Sequence, residues 1–98
     1  MISLKKPIEF EWDEGNLDKN LEKHKVSNLE AEEVFFDEKK RILKDILHSG
    51  IEERYLIIGK TKAGRALFIV FTQRVDKVRV ISARDQNKKE YLLLGKDL

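Results

Sequence analysis

Residues 65–84 read RALFIVFTQRVDKVRVISAR, and the fold turns on how they pair. Residues 66–72 and 78–83 are apolar, β-branched or aromatic at nearly every position. Gln73, Arg74, Val75, Asp76 and Lys77 separate them, a polar break of hairpin-loop length. Two strands joined so closely are expected to pair antiparallel. Side chains alternate between the faces of a strand. Phe68, Val70, Thr72 and Arg74 are therefore expected on one face of the first strand, and Val78, Val80, Ser82 and Arg84 on one face of the second. Neither strand alternates cleanly between apolar and polar, which predicts a hairpin inside a sheet with both faces partly covered. Arg65, Arg74, Arg79 and Arg84 mark its margins. Guanidinium groups are planar, permanently charged donors, well suited to positioning a phosphate.

The flanking sequence builds outward from this hairpin. Asp85-Gln86-Asn87 can start a last helix from Lys88 to about Leu94, with Gly95 as its stop. Upstream, residues 54–60 (RYLIIGK) read as a strand, and Gly64 supplies the positive φ of the turn into the hairpin. Residues 41–48 (RILKDILH) fit helical spacing through Ile42, Leu43, Ile46 and Leu47. An extended segment is preferred, because Ser49-Gly50 follow at once and a strand signal resumes. Ser27 and Glu30 stand at capping-box spacing and open a helix. Leu29, Val34, Phe35 and Phe36 are expected on its buried side, and Glu30, Glu32 and Glu33 on its wet one. Asn16 can cap a preceding helix to about His24, with Leu17, Leu21 and His24 along one face and Lys19 and Lys23 along another. Asp13 to Asn16 break a first strand in which Ile8, Phe10 and Trp12 point inward. The order is β-α-α-β-β-β-β-α. It predicts an α+β fold, an antiparallel sheet with helices on one face and the other face available to a partner or substrate.

Ninety-eight residues suit a single domain, 1–98. With no cysteine, disulfides and thiolate zinc sites are excluded. No stretch approaches the ~18 apolar residues of a membrane span. The start, MISLKKPIEF, lacks the apolar core of a secretory signal, so a cytoplasmic protein is expected. The net charge of +2 conceals a division. Residues 1–53 carry nine Lys/Arg against fourteen Asp/Glu, and residues 54–98 carry eleven against four. Five of the six arginines lie in the second half. Such a basic half suits a polyanion or an acidic protein, although charges also simply solvate a small surface.

No metal-ligand spacing, Gly-rich phosphate loop or Ser/Cys nucleophile motif stands out, and no cofactor is expected. What remains is His, Lys, Arg and Glu, the set that cleaves RNA without a metal. A base takes the 2′-hydroxyl proton, an acid protonates the departing 5′-oxygen, and cations hold the charge building on phosphate. His24 and His48 are the side chains whose ordinary pKa lies near neutrality. Each also has a plain structural reading, His24 as a helix C-cap and His48 as a loop residue.

These landmarks resemble the BrnT-type toxins of bacterial type II toxin–antitoxin pairs. The resemblance rests on Trp12-Asp13-Glu14, Asn16, Lys19-Asn20, Lys23-His24, Val26-Ser27, Glu30-Ala31, Val34-Phe35 and Asp37. It continues through His48-Ser49, Glu52-Glu53-Arg54-Tyr55, Gly59, Gly64-Arg65, Thr72, Arg74, Ile81-Ser82-Ala83-Arg84 and Lys88-Lys89-Glu90. It implies a RelE-like fold and a ribonuclease that inhibits translation. It also implies neutralisation by a DNA-binding antitoxin of ribbon-helix-helix type, with operator DNA contacted only through that antitoxin. Three positions depart from the family pattern. Lys25 replaces a frequent Gly, so the helix is expected to end without a left-handed residue. Asn28 replaces a usual Phe, and Tyr91 replaces an Arg, offering instead a ring for stacking or a hydroxyl for phosphate. A non-catalytic RNA- or protein-binding module of the same fold is the alternative.

The catalytic candidates are Arg84, Arg74, Lys23, His24, His48 and Glu90. Arg54, Arg65, Lys77, Arg79, Lys88, Lys89 and Tyr91 are the candidates for holding RNA. The short hairpin puts Arg74 with Lys77 at one end and Arg65 with Arg84 toward the other. Arg84 is the preferred residue for the reacting centre, because strand ends release side chains from the core while the backbone stays rigid. An acidic or amphipathic antitoxin segment is expected to cover the open sheet face and meet Arg65, Arg74 or Arg79.

Overall fold

The computed structural model describes residues 8–12, 19–45, 50, 52–74 and 77–90. Among them, strand β1 (Glu9–Glu11) precedes helices α1 (Lys19–His24) and α2 (Asn28–Val34). Strands β2 (Arg41–Asp45), β3 (Arg54–Lys60), β4 (Ala66–Arg74) and β5 (Lys77–Asp85) follow. A helical turn occupies residues 88–90. The fold is α+β. The turn at 13–16, Leu17, residues 46–48 and the last helix beyond residue 90 lie outside the described residues.

The β4–β5 hairpin is longer than its apolar runs. Arg74 pairs with Lys77, so both strands extend past the polar break. Five strands lie in the order β1-β5-β4-β3-β2. β2 through β5 form an antiparallel meander. The sheet is mixed, however, and the expectation of a wholly antiparallel one is corrected: β1 runs parallel to β5, with Phe10 beside Val78. The helices and the meander lie between these two strands in the chain, which is the long connection a parallel pair needs.

One irregularity sets the faces. Val70 pairs with Ser82 and Phe71 with Val80, which leaves Ile81 as an extra residue in β5. Val78 and Val80 therefore face the helices, whereas Ser82 and Arg84 face away. The simple alternation that grouped all four is corrected by this bulge. Val26, Ala31, Val34 and Phe35 pack on Ile57, Leu67, Ile69, Phe71, Val78, Val80 and Ala83 to form the core. Phe35 sits edge-on to both Phe10 and Phe71, at 5.2 and 5.1 Å. Each such pair contributes about 0.5–1.5 kcal/mol beyond its buried area. Ile8, Phe10 and Trp12 pack against this core, as their alternation predicts.

The helices show which local signals hold. Ser27 and Glu30 form the reciprocal capping box of α2. Leu29 and Phe36 are 66% and 60% exposed, so the buried side of that segment is Ala31, Val34 and Phe35. In α1, Leu21 and His24 are exposed and Asn20 is buried. Its Oδ1 accepts from the Ala83 backbone N–H at 3.0 Å, completing a β5 edge that β1 does not reach. Lys25 adopts φ 58°. The left-handed position is thus kept on a lysine, and Val26 N–H reaches back to the Asn20 carbonyl. This corrects the expectation that α1 ends without it. At Gly59 a side chain would meet Val34 and Asp37 at 3.0 Å, so glycine lets the end of α2 rest on β3.

Candidate functional site

The sheet face turned away from α2 carries the candidate site. Its centre is a cross-strand row, Asp45, Arg54, Thr72, Arg79 and Glu11, one residue from each strand. Toward β5's end the floor becomes apolar. A groove of about 510 Å³ is lined by Leu56, Phe68, Val70 and Ile81 with Asp45, Arg54, Ser82 and Arg84. A smaller hollow of about 230 Å³ adjoins it, lined by Glu52, Arg54, Arg79 and Ile81. Arg54 and Ile81 belong to both.

Arg84 stands at one end of this groove. Phe68 is its register partner across the hairpin, and the guanidinium lies over that ring, 4.2 Å from its centroid. Nη1 and Nη2 donate to the two carboxylate oxygens of Glu90 at 2.9 and 2.8 Å. Nη1 also donates to the Asp85 carbonyl at 3.0 Å. A guanidinium has five N–H donors in a fixed fork. Three are engaged here, and Nε–H with the second Nη2 hydrogen have no partner among the described residues. That unengaged edge is a two-point fork of the kind that grips phosphate.

Glu90 holds this arrangement in place. It also accepts from Asn87 N–H, while Asn87 Oδ1 accepts from Glu90 N–H, a reciprocal cap at the start of residues 88–90. Burial pushes the Glu90 carboxyl up, but the hydrogen bonds from Arg84 and Asn87 outweigh it and leave it below its ordinary value. Both Glu90 oxygens are thus engaged within the protein. Lys88 and Lys89 are exposed beside it.

Arg65 belongs to the fold. All five of its donors are engaged, on the two Asp85 oxygens, Glu30, and the carbonyls of His24 and Lys25. In this arrangement no Arg65 N–H is left over for a phosphate. Its hydrogen bonds hold the Asp85 carboxyl below its ordinary value. One guanidinium thus ties the Lys23-His24 end of α1 to the residue after Arg84. Lys23 and His24 are exposed at that end of α1, whereas Arg84 turns to the opposite sheet face, over Phe68.

Arg74 stands well away from Arg84. Phe68 and Arg74 are six residues apart on β4, about 20 Å at 3.4 Å per residue. Arg74 instead donates from Nε and Nη2 to Glu52, at 2.5 and 3.3 Å. Lys77, opposite Arg74, is exposed. Arg54 and Arg79 are partly buried in the central row. His48 and Tyr91 lie outside the described residues. Sequence reasoning missed Glu52, Phe68 and Asp85 as partners of the arginines. Phe68 was accessible in principle, since hairpin register places it opposite Arg84.

Among the described residues, no group of three or more His, Asp or Glu is placed to hold a metal ion. No helix among them is long and apolar enough to cross a membrane. A comparison with curated proteins finds no match. The family model described as the ribonuclease toxin BrnT of type II toxin–antitoxin systems matches residues 12–90. That span holds strands β2 to β5, both helices and the Arg84–Glu90 pair. The chain belongs to the BrnT family of ribonuclease toxins from type II toxin–antitoxin systems.

Proposed function

We propose that this chain is a metal-independent endoribonuclease toxin that acts on an RNA strand lying along the outer sheet face. The observation that carries this reading is the pre-oriented Arg84 fork at the end of an apolar groove. Arg84 is rigid before substrate arrives, so it stabilises developing phosphate charge without having to reorganise. A base removes the 2′-hydroxyl proton, and that oxygen bonds to phosphorus. The P–O5′ bond breaks, and an acid gives a proton to the 5′-oxygen. The products are a 2′,3′-cyclic phosphate and a 5′-hydroxyl. His24 and His48 are the proposed proton carriers, with Lys23 adding charge. Arg54, Arg79, Lys77, Lys88 and Lys89 carry the flanking strand, and Tyr91 offers it a ring.

The arrangement proposed is RelE-like and the compartment cytoplasmic. The partner is a ribbon-helix-helix antitoxin that places an acidic or amphipathic segment across the same face, over Arg74 and Arg79, and alone contacts operator DNA. Incubation of the purified chain with RNA, with and without EDTA, tests the chemistry. Cleavage that survives EDTA and leaves cyclic phosphate ends is expected. Cleavage that requires metal, or that leaves 3′-hydroxyl ends, contradicts it.

A further inference from the structure

We propose that the outer edge of β2 is a self-complementary interface, to which a second copy of this chain adds its own β2, antiparallel and centred on Leu43. β2 is an end strand of the sheet, and among the described residues no strand pairs with its outer edge. Such an edge offers a row of backbone N–H and C=O groups to another strand. The sequence of β2, Arg41-Ile42-Leu43-Lys44-Asp45, shows which strand fits. Laid antiparallel on itself about Leu43, it sets Arg41 opposite Asp45 of the second copy at both ends. Ile42 then faces Lys44, and Leu43 meets itself. A slip of one residue one way sets Arg41 against Lys44, and the other way sets Ile42 against Asp45. Either slip also joins the groove face of one copy to the helix face of the other. Arg41 and Asp45 interact within their own chain as well. The register asks only that unlike charges, and not like ones, stand opposite.

The side chains of the edge agree with this register. Leu43 is 37% exposed, and pairing with its copy takes it out of water. A lysine on an edge strand ordinarily discourages strand addition. The Lys44 ammonium, however, is drawn to Glu53 at 3.0 Å, which leaves its methylene stem to cover Ile42 of the second copy. Leu43 pairs with Leu56 and Asp45 with Arg54, so both stand on the groove face. A two-fold axis perpendicular to the sheet at Leu43 therefore turns both grooves to one side of a continuous sheet. Arg41 of the second copy comes opposite Asp45, at the β2 rim of the groove. This surface does not depend on the RNA reading.

Sedimentation velocity of the purified chain over a concentration series, together with cysteine cross-linking, tests the interface. A strand of five residues makes a small interface, so reversible dimerisation with a Kd on the order of 10–100 µM is expected. Leu43→Lys, checked by thermal melt, puts two ammonium groups at the two-fold axis and should weaken dimerisation by about tenfold or more. The chain has no cysteine, so Leu43→Cys introduces a single thiol. It should oxidise readily to a disulfide dimer, because directly opposite residues lie about 4.5–5.5 Å apart, within disulfide reach. Lys44→Cys should not, since its two copies are diagonal neighbours about 7–8 Å apart. If Leu43→Lys does not fold, the comparison of the two cysteine variants decides. A chain that stays monomeric throughout the series, a dimer unchanged by a folded Leu43→Lys, or equal cross-linking by the two cysteine variants overturns the proposal.

Discussion

Arg84 and Phe68 face each other across the β4–β5 hairpin, with the guanidinium lying 4.2 Å from the ring centroid. The ring fixes one face of the cation while Glu90 fixes its end, so only the Nε–Nη2 edge is presented. Phe68→Leu keeps an apolar side chain but removes the π face. It should cost about 0.5–1 kcal/mol in stability from the lost cation–π contact. Arg84 should then lose its orientation, lowering kcat more than it raises KM, while Phe68→Tyr retains the wild-type rate. A change in KM alone for Phe68→Leu would place the ring in RNA binding instead of positioning Arg84.

Arg65 should behave as a fold residue with a pH signature. Arg65→Ala strands two helix-end carbonyls and two carboxylates, and should cost about 2–3 kcal/mol, read from a denaturant melt. Arg65→Lys recovers little, because an ammonium cannot reproduce the fork. Asp85 is depressed chiefly by the Arg65 hydrogen bonds. Glu30 is depressed first by the Ser27 backbone bond and then by Arg65. A carboxyl lowered by folding adds stability that is full above its unfolded value and lost as pH falls through its folded one. The gap between wild type and Arg65→Ala should therefore be constant above about pH 5 and shrink as pH falls below about 4. A gap that widens in acid would show that these pairs do not form.

Lys25 stores strain that can be removed. Its φ of 58° lies in the left-handed region, which costs an L side chain about 1–2 kcal/mol. Glycine adopts it freely but loses more chain entropy on folding. Lys25→Gly should therefore stabilise the protein by a net of about 0.5–1 kcal/mol. The Arg65 bond goes to the Lys25 carbonyl, so it survives the change. A lower melting temperature would mean that the lysine side chain holds the corner together.

Local features were legible in the sequence because both partners lie within a few residues. The Ser27–Glu30 capping box, Gly64 at φ 90° and the hairpin itself are of this kind. Residues 41–45 also form the preferred extended segment. Features set by distant packing were not legible. Leu29 and Phe36 fit an apolar helix side, yet both are exposed, because Ala31, Val34 and Phe35 meet the sheet instead. The Ile81 bulge reverses face parity midway along β5, and no residue type announces it. Arginine composition pointed to phosphate at Arg65 and Arg84 alike. Only their partners distinguish a guanidinium with all donors engaged from one with an edge to spare.

The account stands or falls on the Arg84 fork, and single-turnover RNA cleavage by Arg84→Lys and Arg84→Ala, each checked by thermal melt, tests it most directly. Arg84→Lys keeps a cation for Glu90 and should stay folded, yet cleave only partly as well as wild type. Arg84→Ala should slow cleavage by about 100- to 1000-fold, the loss of one charge-stabilising donor set at about 2.7–4 kcal/mol. If instead the Arg84→Ala melting temperature falls substantially and the remaining folded protein cuts RNA at the wild-type rate, Arg84 only anchors residues 88–90 through Glu90, and the site lies elsewhere.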